Sequence, residues 1–197
     1  MLKSKNKLFI IGVLFVILCL GLSTKVQAAE RINWNGRLKS GKDIYYWIDS
    51  SCQYTATIPQ AVSKLRYPTG LWNPIVLNKT TTKSYSKMDF YQYYDSSSNL
   101  YAYTERYKAK TNGTENIAYL SELDSIEWIY GKIYLNDANL DPCDNDLRST
   151  IILHEMCHVY GGKDVYDNAN TIMYGRTPTV RGLTSDFNSV LVNKYNY

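Results

Sequence analysis

The chain has 197 residues, 45% of them hydrophobic, and a formal net charge of +4, which is ample apolar material for one core and too little length for several domains. Four of the 22 basic residues (Lys3, Lys5, Lys7 and Lys25) stand in the first 28 positions, so the remainder carries 18 basic against 18 acidic side chains. That balance excludes the electrostatic footprint of a nucleic-acid-binding protein or of one held on an anionic membrane.

In chain order, the first element is an export signal. Three lysines precede the apolar run "LFIIGVLFVILCLGL", and "VQA" before Ala29 supplies the small residues of a cleavage site. Cleavage after Ala28 is expected, leaving residues 29–197 as a single extracellular domain with no membrane attachment. The lysine- and asparagine-rich composition reads as bacterial. Residues 29–41 are too few for an inhibitory pro-domain. Export permits a disulfide, for which Cys52 with Cys143 is the candidate pair, and whether it forms is left open by the sequence.

"KDIYYWID" (42–49) reads as a strand, bounded by Gly41 and Ser50. "IPQAVSKLRYPTGLW" then places Ala61, Leu65 and Leu71 at helical spacing, with Pro68 and Gly70 ending a helix of about ten residues. "SKMDFYQYYD", "NLYAYTERYKAK" and "EWIYGKIYLN" are further strands, rich in aromatic and β-branched residues and separated by turn material. The 19 tyrosines suit sheet surfaces. "DNDLRSTIILHEMCHVYGG" is the next helix, with Asp144, Asn145 or Asp146 as its N-cap and Gly161 as its C-cap. "LTSDFNSVLVNKY" closes the chain as a helix with Thr184 as N-cap and Phe187, Val190, Leu191 and Tyr195 on one face. The pattern is α+β.

The helix "IILHEMCHVYGG" carries the chemistry. His154 and His158 are the only histidines in the chain, and their spacing of four places both on one helix face, close enough to share a metal ion. Placed at random in such a chain, two histidines would be four apart roughly once in a hundred times. Glu155 follows the first and is the candidate general base. Cys157 points about 100° away from His158 and is expected as a buried packing contact rather than a ligand. A catalytic zinc takes three protein ligands and leaves one position open. Glu155 is the last glutamate, so the third ligand among later residues is an aspartate: Asp164, Asp167 or Asp186. Asp164 is preferred, because Gly161 can turn the chain back toward the histidines; Asp186 is the alternative.

"HEMCHVYGGKD" resembles the metzincin zinc signature HExxHxxGxxH with aspartate in the last place, as in the snapalysin group of secreted bacterial proteases. "TIMYG" resembles that clan's Met-turn, which places Met173 beneath the metal. "LYAYT", "KIYLN" and "LTSDF" resemble successive segments of the matrixin catalytic domain. The resemblance implies a twisted, mixed five-stranded sheet, an active-site helix and a C-terminal helix, with a subdomain boundary near 161/162. It also implies that Tyr101, Ala102, Tyr103 and Thr104 form an edge strand that pairs with an extended peptide substrate. The expected activity is that of a monomeric zinc endopeptidase with one Zn²⁺, in which a zinc-activated water attacks the peptide bond and Glu155 is the base. The alternatives are a deuterolysin-like protease using Asp186 and a non-catalytic zinc-bearing binding or toxin module. Matrixins commonly hold structural Ca²⁺, for which Asp137, Asp141, Asp144 and Asp146 are candidates; aspartates before a helix serve equally as caps.

Overall fold

The computed structural model describes residues 30–111 and 114–197. The expected export signal, with Cys19 and the cleavage site, lies outside the described residues. Among the described residues no helix is long and apolar enough to cross a membrane.

Strands β1 (Arg37–Leu38), β2 (Asp43–Ile48), β3 (Val76–Lys79), β4 (Ser86–Tyr93), β5 (Ala102–Thr111), β6 (Thr114–Ile117), β7 (Glu127–Trp128) and β8 (Tyr130–Asn136) alternate with four helices. The helices are α1 (Thr57–Arg66), the single turn α2 (Asp137–Leu140), α3 (Asn145–Val159) and α4 (Ser185–Tyr195). The fold is α+β around one mixed sheet, ordered β3-β2-β4-β8-β5-β6, with β1 and β7 paired separately. β2 runs parallel to β3 and β4, and β4 parallel to β8, whereas β5 is antiparallel to β8.

The sheet has six strands where five were expected. The extra one, β6, is the short return of a hairpin with β5, paired from Tyr107↔Ile117 to Thr111↔Thr114. Its sequence "TENI" carries no apolar alternation and was read as turn material. β3 escaped the sequence reading for the same reason: four residues are too few to show a period.

Alternation does govern the longer strands. Ile44, Tyr46 and Ile48 of β2 and Met88 and Phe90 of β4 are buried, as are Ile133 and Leu135 of β8, all facing the helices. The opposite face of the sheet is a ladder of tyrosines: Tyr91 and Tyr103 each stack on Tyr134, at 5.3 and 4.8 Å between ring centres, and Tyr107 stacks on Tyr130 at 4.7 Å. These rings pack against one another face to face, which gives a place to five of the 19 tyrosines.

α1 ends at Arg66, two residues before Pro68, as its sequence requires. α3 packs against α1 and against β5 and β8. It is buried nearly all round, from Ser149 to Cys157, because sheet and helix enclose it on opposite sides. α4 buries Phe187, Leu191 and Tyr195 in the same core. The described cysteines are all free: Cys52 and Cys143, the candidate pair, are not bridged, and the Cys143 thiol faces the Asn139 carbonyl. Cys157 is fully buried, and burial pushes its thiol well above its ordinary pKa, which leaves it the inert packing contact anticipated.

Candidate metal centre

α3 begins where Asp144 accepts the Leu147 amide at 2.7 Å, a side-chain N-cap, and runs through both histidines before it ends. Its termination sets the site. Gly161 takes φ of 100°, its amide donates to the His158 carbonyl, and the Gly162 amide donates to the Cys157 carbonyl at 2.8 Å. This pair of bonds is a Schellman cap. A side chain at Gly162 would also meet the Met173 thioether at 2.7 Å, so two consecutive glycines let the chain reverse tightly over the helix end.

The reversal brings Asp164 back to the histidines. Its Oδ1 lies 3.1 Å from Nε2 of His154 and 3.4 Å from Nε2 of His158. The imidazole rings stand edge to face, their centres 4.6 Å apart. Each ring is oriented by a carbonyl on its other nitrogen: Nδ1 of His154 bonds Ile172 O at 2.6 Å, and Nδ1 of His158 bonds Gly162 O at 3.0 Å. A carbonyl oxygen only accepts, so Nδ1 carries the proton in each neutral ring and Nε2 offers a lone pair.

With both rings neutral, three acceptors converge with no proton between them, and Asp164 Oδ1 is a buried oxygen without another hydrogen-bond donor. Such an arrangement fits a cation. The Nε2–Oδ1 spacings match the roughly 3.3 Å between ligand atoms about 2.0 Å from a tetrahedrally coordinated ion. His154, His158 and Asp164 are the one group of three potential ligands that comes together among the described residues. Asp186, the alternative, accepts the neighbouring Phe187 amide at the start of α4 and is not part of the group.

Glu155 is 6% exposed and lines the same cavity, of about 690 Å³, beside the three ligands. Its Oε2 accepts the Thr104 hydroxyl at 2.7 Å, and the same hydroxyl reaches the Glu155 carbonyl at 3.1 Å. Thr104 was expected only as part of an edge strand; its bond to the candidate base was not foreseen. Met173 is fully buried in the turn closed by the Tyr174 amide on Thr171 O, next to the Ile172 carbonyl that orients His154. Thr184 is the N-cap residue of α4, as expected from sequence, but its side chain caps no amide of that helix; its hydroxyl accepts the Ile172 amide and ties the helix to this turn.

Tyr101, Ala102, Tyr103 and Thr104 all line the cavity. β5 pairs with β8 from Ala102 to Tyr107, whereas β6 covers β5 only from Tyr107 onward. Tyr101 O accepts the Asn136 amide of β8, Tyr107 O accepts the amide of Ile129 just before β8, and Arg106 O accepts the Ala118 amide on the other side. Alternation therefore turns the backbone N–H and C=O of Ala102 and Thr104 away from β8, toward the cavity.

Of the four aspartates named as calcium candidates, three have partners within the protein, and Asp137 Oδ1 is buried with no hydrogen-bond partner. Asp141 accepts from Tyr54 and Gln53, Asp144 caps α3, and Asp146 pairs with Lys64 at 2.7 Å. The N-terminal segment, read as too short to fold by itself, straps the turn instead: the Trp34 amide donates to Gly161 O and the Lys163 amide to Ile32 O, each at 2.9 Å.

No protein-family model matches this sequence, and no curated protein matches it.

Proposed function

We propose that the protein is a zinc-dependent endopeptidase of metzincin type, exported and acting on extended peptide segments of proteins. The observation that carries this reading is the convergence of two Nε2 lone pairs and Asp164 Oδ1 beside Glu155, in a cavity bordered by an open strand edge. Two imidazoles and a carboxylate form a donor set suited to Zn²⁺, held by His154, His158 and Asp164. When bound there, the ion would supply a Lewis acid for the scissile carbonyl and lower the pKa of water.

The chain's own residues supply the rest. Ala102 and Thr104 offer backbone groups to which a substrate adds as a further strand, which lays its peptide bonds along the cavity. The Thr104 hydroxyl holds one Glu155 oxygen, so the other is free to take a proton from water and pass it to the departing amine. The Ile172 carbonyl, next to the buried Met173, orients His154 in the manner of a Met-turn. The ligand set and the adjacent base together favour a hydrolase over a passive metal-bearing module.

The test is cleavage of a denatured protein substrate such as casein by purified protein, with and without a chelator, and by the Glu155→Gln variant. Chelator-sensitive cleavage that the variant lacks is the expected result. A variant as active as wild type would remove Glu155 from its role.

A further inference from the structure

We infer that Arg106 is a positioning residue of this metal site, an inference that rests on the reading of His154, His158 and Asp164 as ligands. Arg106 lies on β5 two residues after Thr104, on the same face, and is 6% exposed. Its Nε donates to the His158 carbonyl at 2.8 Å, and its Nη2 donates to the Gly162 carbonyl at 3.3 Å. One guanidinium fork therefore spans the turn between the last helix ligand and the arm that carries Asp164. The Gly162 carbonyl also accepts from His158 Nδ1 at 3.0 Å, so Arg106 grips the group that orients the ring. Its other flank rests on Trp128, 5.7 Å from the ring centre, whose indole donates to the next carbonyl, Val159 O, at 2.7 Å.

Burying a guanidinium is costly, and no carboxylate lies within ion-pair distance of Arg106 among the described residues. What it meets is the carbonyl end of α3, where a cation is favoured by the helix dipole. Burial pulls its pKa down to about 10 against the pull of Glu155 and Asp164, so it stays charged at neutral pH.

Charge and position make opposite predictions for this residue. A fixed cation beside a metal site repels the incoming ion, so if charge alone mattered its removal would tighten metal binding. If Arg106 holds the ligand arm to the helix, its removal loosens the site and weakens binding. The experiment measures Zn²⁺ affinity by competition with a chromophoric chelator, and the absorption spectrum of the Co²⁺-loaded protein, for wild type, Arg106→Met, Arg106→Lys and His158→Ala. Circular dichroism of the metal-free proteins reports whether each is folded.

Expected is an Arg106→Met variant that binds Zn²⁺ about 10- to 100-fold more weakly than wild type, with shifted Co²⁺ bands. Arg106→Lys keeps the charge and cannot fork across two carbonyls, so it falls several-fold. Affinity equal to or tighter than wild type in a folded Arg106→Met overturns the inference. Should that variant not fold, wild-type affinity and spectrum in Arg106→Lys overturn it. A wild-type protein that binds no Zn²⁺, or a His158→Ala variant that binds as wild type does, overturns the reading of the site itself, and the inference with it.

Discussion

Glu155 and His154 are neighbours in sequence to which we assign different tasks, base and metal ligand, and substitutions at this scale separate them. Glu155→Gln preserves volume and leaves His154, His158 and Asp164 untouched. It should retain metal stoichiometry while losing about 10²- to 10⁴-fold in kcat, measured by peptide hydrolysis beside elemental analysis. Thr104→Val removes the hydroxyl on Oε2 and should lower kcat with little change in metal content, whereas Thr104→Ser should restore it. Protons at the ligands give a second test. In the metal-free protein burial disfavours the His154 imidazolium, yet the Asp164 carboxylate, with help from Glu155, raises its pKa overall. Burial likewise opposes charge on Asp164, but the two imidazoles hold its carboxyl well below the usual carboxylate range. A raised histidine pKa means that the folded state binds its proton more tightly than the unfolded chain. That stabilisation is complete below about pH 6.5 and is lost as pH rises through the folded value. The lowered Asp164 pKa gives stability above about pH 4 that is lost in stronger acid. Metal binding requires unprotonated imidazoles and depends on pH in the reverse sense. Calorimetry should therefore show the melting temperature of chelator-treated protein falling from pH 6 to pH 8 through this pair, while the increment from added Zn²⁺ grows. A Zn²⁺ increment that shrinks over that interval would contradict the assignment.

At the scale of elements, the end of α3 decides whether the ligands meet. Gly161 sits at φ of 100°, where an alanine is strained by about 1–2 kcal/mol. Gly161→Ala should lower stability by that order and weaken Zn²⁺ binding as well, because the strain falls on the turn that returns Asp164; denaturant unfolding and chelator competition read the two effects. This turn was legible in the sequence, since a glycine after a helix followed by an aspartate within reach of two histidines has a single economical geometry. Three of the four helices were legible too: α1 stopped by Pro68, α3 bounded by its capping residues, and α4 marked by apolar spacing. Elements that bury little were not. β3 and β6 have four residues each, and their place comes from backbone pairing with β2 and β5 rather than from any pattern of their own. Arg106 also went unnoticed, although the period of two along β5 puts Ala102, Thr104 and Arg106 on one face. An arginine in that series is the signal that was available. The state of Cys52 and Cys143 was not legible either, because compartment permits a disulfide without bringing two thiols together.

Across the whole molecule, the cavity exists because distant parts of the chain close on it. β5 supplies one wall, α3 the floor with both histidines and Glu155, and residues 163–178 the other wall. α4 and the N-terminal strap hold that second wall in place: the Lys194 ammonium donates to the carbonyls of Trp34 and Gly36, and Tyr195 donates to Tyr160 O at 3.3 Å. Phe187 is fully buried under the same region. Phe187→Ala should cost about 3–5 kcal/mol in global unfolding. The order of the sheet, with four parallel strands (β3, β2, β4 and β8) and β5 antiparallel beside them, leaves the start of β5 open at the edge next to Glu155. That placement could not be read from one sequence, because strand order depends on pairings between segments far apart in the chain. The measurement that tests the account most directly is zinc content per chain by elemental analysis, on purified wild type and on the Asp164→Ala variant, with folding of both verified by circular dichroism. The account predicts one zinc per wild-type chain, lost or greatly weakened in the variant. One zinc retained in both at equal affinity would contradict Asp164 as the third ligand, and no zinc in a folded wild-type protein would contradict the metal site altogether.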